Sequence, residues 1–287
     1  MLAILKKEFC SYFLTPVGYI FMSFFLLISG LLFSLSNLFT ASSDYSSVFT
    51  NIIFIFLITA PILTMRLISE ENRQKTDQLL LTCPLKVTDI VIGKYLAAVG
   101  IFLLTLAVTW IYPLIMNRYG FISLPQIFCG YIGFFLLGAC CVAVGLFVSA
   151  LTDNQVGAAF ITFGLLFLIQ IFEYIRQILP NDILSGVIFA SLILIGLALL
   201  VRQATQNNLV SLLTALLGAL IIGSLYAFNR NLFEGLIINV CGWFSLLKRY
   251  QEFASGLLTL SSVVYYLSFI TAFIFLTVQL IAKRRWN

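Results

Sequence analysis

The chain has 287 residues, of which 61% are hydrophobic and 9% charged, with a formal net charge of +5 and no histidine. Soluble domains carry roughly a quarter of their residues charged, so an ordinary water-soluble core is excluded. The missing histidine also removes the commonest metal ligand and proton shuttle. Six cysteines form no C-x-x-C pair and sit mostly in apolar runs, where they act as small packing residues. A disulfide between Cys129 and Cys241 is left open.

Residues 1–15 place Leu2, Leu5, Phe9 and Phe13 on one helical stripe and Lys6, Lys7 and Glu8 on another side, the pattern of a helix lying in a membrane interface. Pro16 ends that helix. The apolar run at 17–39 is long enough to cross a bilayer and is expected to be kept, because it lacks the form of a cleaved leader. A short outer loop at 40–48 holds no Lys or Arg, and a second span follows at 49–68, with a bend expected at Pro61.

Residues 67–94, LISEENRQKTDQLLLTCPLKVTDIVIGK, break this pattern with Glu70, Glu71, Arg73, Lys75, Asp77, Lys86, Asp89 and Lys94. So many charges must lie in water beside the membrane. Residues 67–75 are expected to carry the second helix out of the bilayer, and Thr76 with Asp77 to cap a short helix bearing Leu79, Leu80 and Leu81. Pro84 stops it. Thr88 caps the next helix, with Asp89 favourably in its first turn, and that helix runs into a third span at 90–116.

An outer connection at 117–125 leads to a fourth span at 126–151. There Cys141, Gly145 and Ser149 recur every four residues, a small-residue face that admits close approach of another helix, with an ordinary lipid-facing helix as the alternative. Residues 153–155 form an inner turn before a fifth span at 156–177, whose Glu173 and Arg176 can pair near the outer surface. Spans at 183–201 and 209–228 flank a polar inner loop. Residues 229–258 mix Arg230, Glu234, Lys248, Arg249 and Glu252 with many apolar side chains and read as amphipathic helices resting in the outer interface, broken at Gly242. The last span, 260–282, closes on Lys283, Arg284 and Arg285.

The fold expected is therefore all-α: one polytopic transmembrane domain over residues 1–287, with about eight spans. With the amino end inside, eleven of the sixteen Lys and Arg residues fall on the inner side, which orients both termini to the cytosol. Chemistry of its own is hard to find. The chain has no G-x-x-x-x-G-K-[ST] loop for ATP, no ligand cluster at metal spacing and no histidine for a nucleophilic set. Glu70 and Glu71 are adjacent helical positions pointing about 100° apart, so they do not converge on a substrate. The spans lack the mid-depth charges and paired broken helices typical of ion-coupled carriers. An enzyme is disfavoured, and energy for transport has to come from a partner. A secondary carrier and a non-transport assembly or sensor protein are the rival readings.

The run MRLISEENRQKTDQLLLTCPLKVTDIVIGKYLAA resembles the membrane domain of type-two ABC exporters through Met65, Glu70, Glu71, Arg73, Thr76, Leu79, Leu80, Thr82, Pro84, Gly93 and Lys94. Gln74 and Lys75 stand where many relatives have a glycine. The turn SALTDNQVGAAF resembles that family's link between the fourth and fifth spans, and residues 253–286 are similar to the gliding-motility-associated permeases. Residues 183–228 exceed the family's usual six spans. The resemblance implies a permease in a bacterial cytoplasmic membrane that pairs with a second permease subunit, identical or related, and with a separate cytosolic ATPase that binds ATP and Mg. This chain would bind no cofactor and no nucleic acid. By resemblance the segment 67–94 is the coupling helix, with Glu70, Glu71, Arg73, Thr76 and Asp77 as polar contacts and Leu79 and Leu80 filling a groove. The cargo expected of apolar spans is amphipathic, lipid-like or a hydrophobic peptide.

Overall fold

Backbone amides exposed to hydrocarbon must be satisfied within their own segment, which leaves helices as the economical way to fold a chain this apolar. The computed structural model describes all residues except 41, 43–44, 76–85, 120–122, 179–181, 206–213, 215, 219, 221, 225, 227–233 and 287, and every regular element among those described is helical. The chain divides into two units, Met1–Leu168 with Leu246–Asn287, and Ile169–Ser245.

In the first unit, α1 (Leu2–Leu14) stops at Thr15 and α2 (Pro16–Phe33) begins on Pro16, where the missing N–H is no loss. A π-helical turn, Ser34–Leu38, extends α2. α3 (Ser46–Thr64) contains Pro61 and is followed by a turn and then α4 (Ser69–Gln74). After the undescribed stretch come α5 (Val87–Thr109) and α6 (Ile111–Tyr119), then α7 (Leu124–Leu151) and the start of α8 (Gln155–Ile178). The unit resumes with α11 (Leu246–Ala254) and α12 (Leu260–Trp286).

α7 is the central column, packing against α3, α5, α11 and α12. Its core contact is aromatic: Phe25 of α2, Phe56 of α3, Phe102 of α5 and Phe134 of α7 lie with ring centroids 4.8 to 6.3 Å apart. At one end of the bundle hydroxyls brace the helices. Tyr131 donates to the Thr109 carbonyl at 2.9 Å, and the Tyr45 and Tyr131 hydroxyls are 2.9 Å apart. α11 docks at this same end, burying Leu246, Tyr250 and Phe253, because Gly133 of α7 leaves room for the Phe253 ring: a Cβ there would sit 2.4 Å from Phe253 Cβ. α11, expected from its amphipathic sequence to rest in the outer interface, is packed on the bundle through α7.

Glu252 joins α11 to α12, accepting hydrogen bonds from Ser262 Oγ at 2.5 Å and Thr259 Oγ1 at 2.6 Å. Those two hydroxyls hold its carboxyl below the ordinary range. A depressed folded-state value stabilises at neutral pH; the contribution begins to disappear as pH falls through roughly 4.3, the value in the unfolded chain, and is gone below the folded-state value. Thermal unfolding of the wild type should therefore lose more on acidification from neutral pH than that of Glu252→Gln; equal losses would remove this link.

Five helical stretches among the described residues are long and apolar enough to cross a membrane: Pro16–Leu38, Ser47–Gln74, Val87–Arg118, Leu124–Leu151 and Leu260–Lys283. Gln155–Ile171 and Ile183–Gly196 are shorter apolar helices. Of the eight spans expected from the sequence, the first four and the last are met by length and apolarity among the described residues, the fifth and sixth coincide with the shorter apolar helices, and the seventh, 209–228, lies mostly outside the described residues. The chain is a polytopic, all-α membrane protein.

The second unit contains the end of α8, α9 (Ile183–Thr205) and α10 (Leu236–Phe244), with α9 packed on α10. Gly242 lies inside α10, and the break comes instead at Ser245. Glu173, expected to pair with Arg176 near the outer surface of the membrane, is 4% exposed, and the Ser245 hydroxyl donates to its carboxylate. The Arg176 side chain lies outside the described set. In the first unit Cys129 is a buried free thiol, and the side chain of Cys241 lies outside the described set.

Candidate functional site

The polar segment after the second span begins with a break that its sequence hides. Residues 65–68 form a turn, although the spacing of 67–75 suggests an uninterrupted helix. The reason lies in α7. Ser149 Oγ, fully buried, accepts hydrogen bonds from Ile68 N and Ser69 N, each at 3.1 Å, and is 3.4 Å from the Met65 carbonyl oxygen as a donor. The first N–H groups of a helix have no partner of their own, and here a side chain from a distant helix supplies one. α4 starts at that point.

One turn below Ser149, Gly145 makes the approach of α3 possible. A Cβ at Gly145 would lie 2.1 Å from Thr64 Oγ1 and 2.7 Å from Thr64 Cβ. Thr64 is itself fully buried and donates to the Ala60 carbonyl at 2.9 Å. Cys141, the third member of the small-residue face, is half-buried.

The charges of the segment are organised around Lys94 of α5, which is 2% exposed. Its ammonium lies 3.1 Å from Glu8 Oε1 of α1 and 2.8 Å from Glu71 Oε1 of α4, and it donates to the Leu67 carbonyl at 2.7 Å. Three oxygens thus surround the one buried ammonium. Beside it Arg66 holds Glu70 with two parallel hydrogen bonds, Nε to Oε2 at 2.7 Å and Nη2 to Oε1 at 2.9 Å. A planar fork of this kind fixes direction as well as charge. Tyr12 of α1 completes the set, donating to the Leu63 carbonyl of α3 at 2.8 Å, and its burial drives the phenol pKa upward. A polar cleft of about 30 Å³ opens between these groups, lined by Glu8, Ser11, Tyr12, Thr15, Arg66, Leu67 and Glu70.

The two carboxylates assigned to partner contacts, Glu70 and Glu71, are therefore engaged with cations of the chain itself. What α4 turns outward is Arg73, Gln74 and Lys75, all exposed. Lys75 ends α4 in the left-handed conformation, φ 56°, a cap position that glycine favours. Thr76, Asp77, Leu79 and Leu80 lie outside the described residues.

Residues 31–229, well over half of the chain, match the family described as ABC-2 family transporter protein. The chain belongs to that family. No curated protein matches it. As an ABC-2 family member it is a transport component and not an enzyme, and among the described residues no three His, Cys, Asp or Glu side chains are grouped to hold a metal.

Sequence reasoning missed Glu8, Tyr12, Arg66 and the clamp role of Lys94. For α1 the buried residues are Ile4 and Tyr12, while Leu2 is 76% exposed, so the face packed on the protein runs through Ile4, Glu8 and Tyr12 and is distinct from the stripe of Leu2, Leu5, Phe9 and Phe13 assigned to the membrane interface. The signal available was Lys94 itself. A lone cation eight residues into an otherwise apolar helix must find carboxylates.

Proposed function

We propose that this ABC-2 family protein is the membrane permease subunit of an ATP-driven exporter, with residues 67–94 facing the cytosol and docking on a separate ABC ATPase that binds ATP and Mg. The observation that carries this reading is the polar elbow at the foot of α3, held to α7 by Ser149 and to α5 by Lys94, with an exposed tip at Arg73 to Lys75. A segment fixed on its inner side and open on its outer side passes a push to the spans it joins. In this reading Glu70 and Glu71 keep the elbow in shape, while Arg73 and residues 76–80 make the contact. The basic residues at the elbow and at 283–285 support, by the positive-inside bias, a topology with both termini in the cytosol, in a bacterial cytoplasmic membrane. A second permease subunit, a copy or a relative, completes the path. The subgroup proposed, from residues 253–286, is that of the gliding-motility-associated permeases.

The test is co-purification with a co-expressed ABC ATPase, followed by Arg73→Glu. The wild-type chain should retain the ATPase through gel filtration and change its hydrolysis rate, and the reversal should reduce that change about tenfold, the equivalent of ~1.4 kcal/mol of lost contact. Retention and stimulation unchanged by Arg73→Glu would remove Arg73 from the contact. Labelling of position 73 from outside the cell would invert the topology and end the reading.

A further inference from the structure

Docking at the α4 tip would move α3 and α5, to which α4 is tied; nothing in that reading involves the amino-terminal helix. The structure nevertheless attaches α1 to the same point. Lys94 is shared between Glu71 of α4 and Glu8 of α1, with oxygens 2.8 and 3.1 Å from one nitrogen that is almost wholly out of water. Removing one partner of a buried pair leaves its charge uncompensated, so this three-way contact resists being opened piecemeal. Two further contacts hold α1 along the same line. Tyr12 donates to the Leu63 carbonyl one turn before the elbow, and Ile4 packs over Gly93, where a Cβ would be 3.2 Å from Ile4 Cβ. The opposite side of α1 carries exposed Lys6, Lys7 and Cys10.

We propose that Lys94 is a positioning residue that joins α1 to the docking elbow, so that α1, α4 and the start of α5 move as one body when the ATPase acts. This inference rests on the ATPase-docking reading. It assigns α1 a mechanical role: the helix along the membrane surface is carried by each stroke and spreads the force from the elbow over three elements. Glu8 is the link that makes α1 part of that body, and Glu71 the link that makes α4 part of it.

The experiment uses the full chain in complex with its co-expressed ATPase, carrying nitroxide labels on native Cys10 and on Gln74→Cys, with the other cysteines replaced by alanine. Pulsed electron resonance then measures the separation of α1 and α4 without nucleotide and after trapping with ATP and vanadate. One narrow distance, the same in both states, is expected for the wild-type clamp, and a broadened, nucleotide-dependent distance for Lys94→Met. Glu8→Gln, which keeps size and removes one charge, should lower stimulation of the ATPase at least fivefold while the ATPase still co-purifies in the same ratio. A nucleotide-dependent distance in the intact clamp, or full stimulation in Glu8→Gln, overturns the proposal. Failure of the ATPase to bind at all overturns the docking reading instead, and the Cys10-to-74 distance in the free chain still reports whether Lys94 holds α1 to α4. If Lys94→Met does not fold, an engineered disulfide between Ile4→Cys and Gly93→Cys decides the matter: locked α1 should leave stimulation within twofold of the reduced protein, and a tenfold loss on oxidation would show that α1 slides and is not carried.

Discussion

Ser149→Ala is expected to destabilise the protein by about 2–4 kcal/mol, because one hydroxyl serves two buried amides and each amide left without a partner costs roughly 1–3 kcal/mol. The amides of Ile68 and Ser69 both point at Ser149 Oγ, at 3.1 Å each. Nothing in the turn replaces it, since the side chain of Ser69 is occupied in bonding back to the Met65 carbonyl. The loss falls on the junction between α3 and α4, so the variant should also show faster hydrogen exchange at 66–72 than at the Phe25, Phe56, Phe102 and Phe134 cluster. Thermal unfolding in detergent with exchange mass spectrometry measures both. A variant of wild-type stability with unchanged exchange would mean that the turn is held by its own local contacts.

The second large effect is Gly145→Val. Overpacking a filled site costs ~1–3 kcal/mol and sometimes more, and here the new Cβ would arrive 2.1 Å from Thr64 Oγ1 and 2.9 Å from Thr64 Cγ2, on a residue with no exposed surface. Neither helix can yield alone. α3 is tied through the Met65 carbonyl to the Ser149 hydroxyl of α7, and α7 is packed on four other helices. The expected outcome is about 3 kcal/mol or more of lost stability, or failure to accumulate in the membrane. Thr64→Ala removes the hydroxyl and the methyl that clash. In the Gly145→Ala background it should recover part of the loss, and the two changes should be non-additive, as residues in contact are. Additive effects would show that α3 and α7 do not meet there.

The sequence made the first four spans and the last one legible, because each is an apolar run bounded by Pro, polar turns or charge. Gly145 and Ser149 could be singled out from four-residue spacing, although what they face could not. The spacing says that a face is small; only the packed chain brings Thr64 and the 65–69 turn onto it. The break after Thr64 was hidden for the same reason, since its cause is a hydroxyl some eighty positions away. Glu8 and Lys94 are likewise 86 residues apart, and no periodicity relates them. Charge near a polar segment reads as solvated, so Glu70 and Glu71 looked available to a partner when each already has a cation within the chain. On α1 the apolar stripe pointed to the membrane interface, while the face that packs on the protein, Ile4, Glu8 and Tyr12, includes a carboxylate and does not stand out as apolar.

Lys75 carries a consequence for how this region varies. A long L-side chain held at φ 56° bears a penalty of about 1–2 kcal/mol, which glycine would not incur and asparagine would feel less. Random substitution at this one position therefore has a downhill direction, whereas Glu70 and Glu71, each anchored to a cation, have none. Among distant cousins of the chain, residue 75 should wander toward glycine or asparagine while its acidic neighbours stay put.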